Sequence, residues 1–235
     1  MRQRVLFSSI FRGGNMRVRR IVDLSVPIGS ETQIYPGDPV PRLSVHSTVE
    51  RDGFNLLNVD IGSQTGTHVD APFHFQDSGL RVDQLDLGLF TGPGVLIDVR
   101  GLGPRGRISW DLFSDVVFPP GAIALMCTGW SAFYGTPAYF DHPYLEADAC
   151  RRMLDLGVRT FCIDAINIDE TPSDAHPGVG YPVHHLIASA GGVIGENFRN
   201  LELVDFPDPL VSCLPLALEN ADGAPVRAVA MQLEV

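Results

Sequence analysis

Lysine is missing altogether: all 17 basic residues are arginine. Six of them, Arg2, Arg4, Arg12, Arg17, Arg19 and Arg20, precede the first acid, Asp23. From residue 21 onward 11 Arg therefore stand against 28 Asp and Glu, a net of −17. So acidic a body repels phosphate backbones, which excludes nucleic acid as a partner of the folded part and favours a small molecule. Cysteine is scarce. Cys127, Cys150, Cys162 and Cys213 show no CxxC spacing and sit in apolar surroundings. They read as buried free thiols rather than a disulfide framework, and imply a reducing, cytoplasmic compartment. No run approaches the ~20 apolar residues of a membrane helix, so no membrane partner is expected. GxSxG, Walker and GxGxxG signatures are also absent, leaving serine-nucleophile and nucleotide-binding classes without local support.

What is present is an ordered, turn-rich composition, with 45% hydrophobic and 19% charged residues, 24 Gly and 18 Pro in 235 residues. That length buries a sizeable core without staples. Residues 1–19 are expected to be a disordered extension, because the apolar stretch VLFSSIF is short and no cleavage site follows; a true start at Met16 explains them equally well. Residues 20–235 are expected to form a single domain. Strand signals fall at 20–28, 54–62, 95–99, 122–128 and 160–166, β-branched and apolar on both faces in the later ones, as covered sheets require. Helices are expected over Glu146–Leu156, with Ala149, Met153 and Leu156 on one side and Gly157 as cap, and over His184–Ala190 before Gly191-Gly192. The tail from Cys213 reads as two strands joined by a turn at Asp222-Gly223.

The densest polar constellation is Gln64-Thr65-Gly66-Thr67-His68-Val69-Asp70-Ala71-Pro72-Phe73-His74-Phe75. Gln64, His68, Asp70 and His74 lie at even offsets and project from one side of an extended chain. Fully extended, His68 and His74 would be ~20 Å apart, so a shared site demands a bend, for which Gly66 and Pro72 are placed. Any one of these residues alone reads as a core histidine or a turn cap. Two imidazoles and a carboxylate within seven residues read as an N/O ligand set suited to Zn or Mn. A second cluster holds His184, His185 and Glu196 across the double glycine. Its bland alternative is a surface histidine and a Glu pairing with Arg199. Asp164, Asp169, Glu170, Asp174 and His176 follow the strand at 160–166, and most of them read as a solvated face.

These residues resemble the metal-dependent cyclase-like hydrolases, which include bacterial kynurenine formamidases and isatin hydrolases. The signature His-x-Gly-Thr-His-x-Asp-x-Pro-x-His-Phe is met at residues 64–75 except for Gln64. Tyr35-Pro36-Gly37-Asp38-Pro39, Thr128-Gly129-Trp130, Ile163-Asp164, His184 with Glu196-Asn197-Phe198, and Gly223-Ala224-Pro225-Val226-Arg227 follow in family order. The resemblance implies an α/β fold, a three-layer β/β/α swivelling-type domain of strand-rich mixed sheets with a few short helices. It implies one or two Zn or Mn ions per subunit and a homodimer or homotetramer. His68 would bind the first metal, His184 the second, and Asp70 and Glu196 both; His74 would carry the proton and Tyr35 would touch the substrate. Gln64 stands where the family supplies a His ligand, and its amide oxygen suits hard ions such as Mn better than Zn. The implied activity is hydrolysis of a small amide, an arylformamide such as N-formylkynurenine or a cyclic amide. A non-catalytic binder, or a metal-dependent cyclase or dehydratase, on the same fold are the alternatives.

Overall fold

The β-branched runs in the middle of the chain become the centre of one large sheet. The computed structural model describes residues 16–234. Among these, thirteen strands are formed: β1 (Arg17–Asp23), β2 (Arg42–Ser47), β3 (Leu56–Asp60), β4 (His68–Asp70), β5 (Thr91–Asp98), β6 (Arg107–Ile108), β7 (Ile123–Cys127), β8 (Tyr144–Leu145), β9 (Thr160–Ile163), β10 (Val193–Glu196), β11 (Leu210–Ser212), β12 (Gly223–Pro225) and β13 (Val229–Glu234). The helices α1 (Val49–Asp52), α2 (Ala147–Asp155) and α3 (Pro182–Ser189) are short. Nine strands join in the order β1-β13-β11-β5-β7-β9-β10-β4-β12. β5, β7, β9 and β10 run parallel, while both flanks are antiparallel.

Alternation along the central strands builds two cores. Ile123, Leu125 and Cys127 of β7 face one cluster, Ala124 and Met126 the other; Cys162 opposes Phe161 and Ile163 in the same way on β9. Burying each large side chain of this kind contributes about 1.5–3 kcal/mol, so these runs dominate the choice of sheet. The second cluster is closed by α2 and α3 through Ala149, Cys150, Met153, Val183 and Ile187. The first is closed by the antiparallel flanks, through Val22, Val211, Ala230, Val69 and Ala224. The flanks curl towards each other. Leu24 N–H donates to the Ala228 carbonyl, Val26 N–H to Thr67 Oγ1, and Arg199 N–H to the Leu24 carbonyl. Helices, parallel centre and curled flanks make three layers, and the strand-rich α/β expectation is met.

Several local expectations are corrected. The first strand starts at Arg17, where Arg17, Val18 and Arg20 pair with β13, so the boundary at residue 19 moves back into the strand. The remainder of the expected extension, residues 1–15, lies outside the described residues. Leu156 is 55% exposed, because α2 has ended at Asp155 and Val158, beyond the Gly157 turn, takes the core place instead. The tail forms no hairpin among the described residues. β12 pairs with β4 on one edge of the sheet and β13 with β1 and β11 near the other. Gly223 serves close approach rather than a turn: a Cβ there would come within 2.5 Å of the Val69 carbonyl oxygen and 2.8 Å of Gln64 Nε2. The strand signal at 54–62 yields β3, which pairs only with β2 in a separate, largely exposed ribbon.

Candidate metal centre

β4 presents His68 and Asp70 on one face, with Val69 between them directed into the core. β10 lies beside it, and Glu196 stands opposite His68 in the register. Gly66, at φ 71, turns the chain into β4, and the 3-10 turn Pro72–His74 supplies the bend beyond it. α3 delivers His184 to the same place while its neighbour His185 stays exposed.

The four side chains meet in a regular pattern. His68 Nε2 is 3.4 Å from Asp70 Oδ1 and 3.7 Å from Glu196 Oε2; His184 Nε2 is 3.5 Å from Asp70 Oδ2 and 3.4 Å from Glu196 Oε1. Each carboxylate thus offers one oxygen to each imidazole. These separations exceed hydrogen-bond lengths of about 2.7–3.2 Å. They match the spacing of about 3.3–3.5 Å between ligands bonded at about 2.0–2.2 Å around one tetrahedral cation. Among the described residues two buried acceptors have no hydrogen-bond partner, Asp70 Oδ1 and Gln64 Oε1. The residues therefore fit a bound cation better than they fit each other.

Electrostatics agree with the geometry. Burial opposes protonation of His68, yet Asp70 and Glu196 outweigh it and lift its pKa to about 9. His184 is raised in the same manner, by Asp169, Asp70 and Glu196 against burial. Burial pushes the Asp70 carboxyl up, but the two imidazoles hold it well below the usual carboxylate range. The cluster is a buried seat of negative potential that takes up positive charge.

The imidazoles are aimed from behind. His68 Nδ1–H donates to the Gly66 carbonyl at 2.9 Å and His184 Nδ1–H to Asp169 Oδ2 at 2.7 Å, leaving both Nε2 atoms facing the carboxylates. Asp169 also accepts the backbone N–H groups of Val183 and His184 at 3.0 Å, fixing the start of α3. Glu196 Oε1 accepts the Ile168 N–H at 2.8 Å. Asp169 is 2% exposed, so it does not belong to the solvated face expected of its loop, although Asp174 and His176 do. Asp164 is also buried and accepts from Thr128 and Gly129. Carboxylates behind metal-ligating histidines are typically worth 10–100-fold in affinity. Asp169→Ala is accordingly expected to weaken divalent-metal binding about 10–100-fold in competition with a chelator; unchanged affinity in a folded variant would contradict this placement.

His74, its side chain 30% exposed, does not join the four. Its Nδ1–H donates to Asp222 Oδ2 at 2.8 Å, and Asp222 also accepts from Ser63 at 2.7 Å and Gln64 Nε2 at 3.0 Å. The bond from His74, outweighing burial, holds the Asp222 carboxyl well below its ordinary value. Sequence reasoning missed Asp222, having assigned it to a hairpin turn. A cavity of about 190 Å³ opens in front of the cluster, lined by Tyr35, Asp38, Gln64, His68, His74, Phe75, Ile166, Asn167, Tyr181, His184, Glu196 and Asn197. Tyr35 and Tyr181 share a hydrogen bond at 3.0 Å between their hydroxyls, and the Phe75 ring lies 4.3 Å from that of His184.

Known proteins share this arrangement of chain and fold. The putative cyclase family profile matches residues 22–170. A kynurenine formamidase from Bacillus mycoides (strain KBAB4) is 32% identical over 217 residues, 91% of this chain and 98% of that protein. The corresponding protein of Bacillus anthracis is 31% identical over the same shares. Isatin hydrolase A from Labrenzia aggregata, solved with benzyl benzoate, superposes with a TM-score of 0.81 at 24% identity, covering 90% of this chain and 93% of that one, a likeness of fold. A predicted metal-dependent hydrolase from Bacillus stearothermophilus superposes at 0.72 with 27% identity, over 93% and 99% of the two chains. With the profile spanning most of the chain and these relatives nearly all of it, the protein belongs to the putative cyclase family.

Proposed function

We propose that the protein is a metal-dependent hydrolase of small amides, with an arylformamide such as N-formylkynurenine, or a related cyclic amide, as substrate. The observation that carries this reading is the sharing of Asp70 and Glu196 between His68 and His184 at 3.4–3.7 Å, beside an aromatic-walled cavity that holds His74. The kynurenine formamidases among its relatives support the reaction class.

His68, Asp70 and Glu196 would hold one cation, with the neutral oxygen of Gln64 as a fourth donor; His184, Asp70 and Glu196 would hold a second. The mixed nitrogen and oxygen donors suit Zn or Mn. The chemistry such an ion would supply is a lowered pKa for a water, from 15.7 towards about 7, and polarisation of an amide carbonyl. The remaining work falls to the chain itself. Asp222 takes the Nδ1–H of His74, which leaves Nε2 to accept the proton of the attacking water and return it to the leaving nitrogen as the C–N bond breaks and the C–O bond forms. Tyr35, pinned by Tyr181, and Phe75 hold the substrate ring. Turnover of N-formylkynurenine, formanilide and isatin is the test. Activity should vanish on chelation and return with Zn or Mn; a cation-loaded protein that hydrolyses none of them would overturn the proposal.

The same reading includes a cytoplasmic homodimer or homotetramer. The four buried free cysteines support a reducing compartment. Val45, Leu56, Leu57 and Val59 of the β2–β3 ribbon are 49–67% exposed, and a two-stranded ribbon is marginal alone, which supports its burial against a second copy. Leu57→Asp with Val59→Asp should lower the mass measured by light scattering; equal masses would contradict an interface there. Among the described residues no helix is long and apolar enough to cross a membrane.

A further inference from the structure

One carboxylate on the cavity wall is used by neither the cation positions nor His74. Asp38 ends the turn that starts at Tyr35, closed by its own N–H donating to the Tyr35 carbonyl at 3.1 Å. Its side chain is only partly exposed, and burial raises its pKa. Among the described residues no hydrogen bond or direct ion pair holds that carboxylate, and the His68 and His74 imidazoles, which act on it from a distance, do not offset its burial. The other acids here are engaged. Asp70 and Glu196 face two imidazoles, Asp169 holds His184, and Asp222 accepts from His74, Gln64 and Ser63.

Asp38 also lines a second cavity of about 190 Å³ that adjoins the first through Gln64 and His74 and has Ser63, Thr65 and Asp222 in its polar wall. A partly desolvated carboxylate without a partner is destabilising, and a cation brought in by a ligand offsets that cost. A metal ion fits poorly as the occupant: the described residues that cluster at metal-ligand spacing are His68, Asp70 and Glu196, and Asp38 is not among them.

We propose that Asp38 is a specificity residue that binds a positively charged group, foremost a protonated amine, carried by the substrate a few bonds from the amide that is cleaved. The reacting carbonyl then lies by His74 and the cationic arm enters the second cavity. That the cation belongs to a substrate rests on the hydrolase function proposed above; that Asp38 binds a cation does not.

Two measurements on the cation-loaded protein separate these claims. In the first, kcat/KM is compared for two formanilides that differ only in an ortho side chain ending in a protonated amine or in a neutral hydroxyl. Asp38→Asn should lower the charged-to-neutral ratio about ten-fold, mainly through KM, the size of one partly exposed charge pair. In the second, calorimetry compares phenethyltrimethylammonium, which has no lone pair for a metal, with its neutral tert-butyl analogue. Wild type should prefer the cation, and the preference should shrink about ten-fold in Asp38→Asn and in Asp38→Ser. A ratio and a preference that both stay within two-fold of wild type, or equal weakening of charged and neutral partners, would overturn the proposal. If wild type hydrolyses neither formanilide, the hydrolase function fails, while the calorimetric pair still supports or refutes cation binding by Asp38.

Discussion

Asp70→Ala is expected to strip the protein of bound metal and to abolish turnover together. Asp70 is the one side chain that faces both imidazoles from β4, with Oδ1 turned to His68 and Oδ2 to His184, so its loss removes the carboxylate oxygen opposite each histidine at once. Glu196 alone then faces two histidines, and nothing else on β4 replaces the missing charge. Turnover should fall on the order of 10³-fold or more, because carbonyl polarisation and water activation are lost in one step. The fold itself should survive, since the neighbouring Val69 and Ala71 carry the core contacts of this stretch. Elemental analysis after dialysis, alongside the assay, checks both halves. A variant that retains two ions, or full activity, would show that Asp70 is a structural acid.

His74→Ala is expected to separate the two losses: metal content unchanged, kcat reduced about 10²–10⁴-fold, the usual worth of a positioned general acid–base. The reason is geometric. His74 lies outside the group of four, and its hydrogen bond runs to Asp222 rather than to a ligand carboxylate. Its ring centroid is 6.5 Å from that of His184, near enough to serve the same substrate atom. Loss of metal in this variant would move His74 into the ligand set, and undiminished kcat would remove it from the chemistry.

Much of this centre was legible along the chain because its donors obey local rules. His68 and Asp70 share a face through the two-residue period of a strand, and the bend needed to include His74 is announced by Gly66 and Pro72. The central strands were legible for a similar reason, being continuous apolar runs that a doubly covered sheet requires. What escaped were residues whose partners lie far off in sequence. Asp222 carries the signal of a turn, Asp-Gly, and only the pairing of β12 with β4 brings it to His74, 148 positions away. Asp169 sits in an acidic loop that reads as solvated, and only the docking of α3 buries it against His184. Leu156 kept the helical spacing but lay one residue past the end of the helix, where spacing no longer fixes direction.

The convergence of β4, β10 and α3 on one seat for cations is tested most directly by anomalous scattering from crystals grown with Zn or Mn. Two peaks are predicted at donor distances of about 2.0–2.2 Å. One should touch His68 with Asp70 and Glu196, the other His184 with the same two carboxylates. Ions found elsewhere on the chain, with those four side chains contacting none, would contradict it.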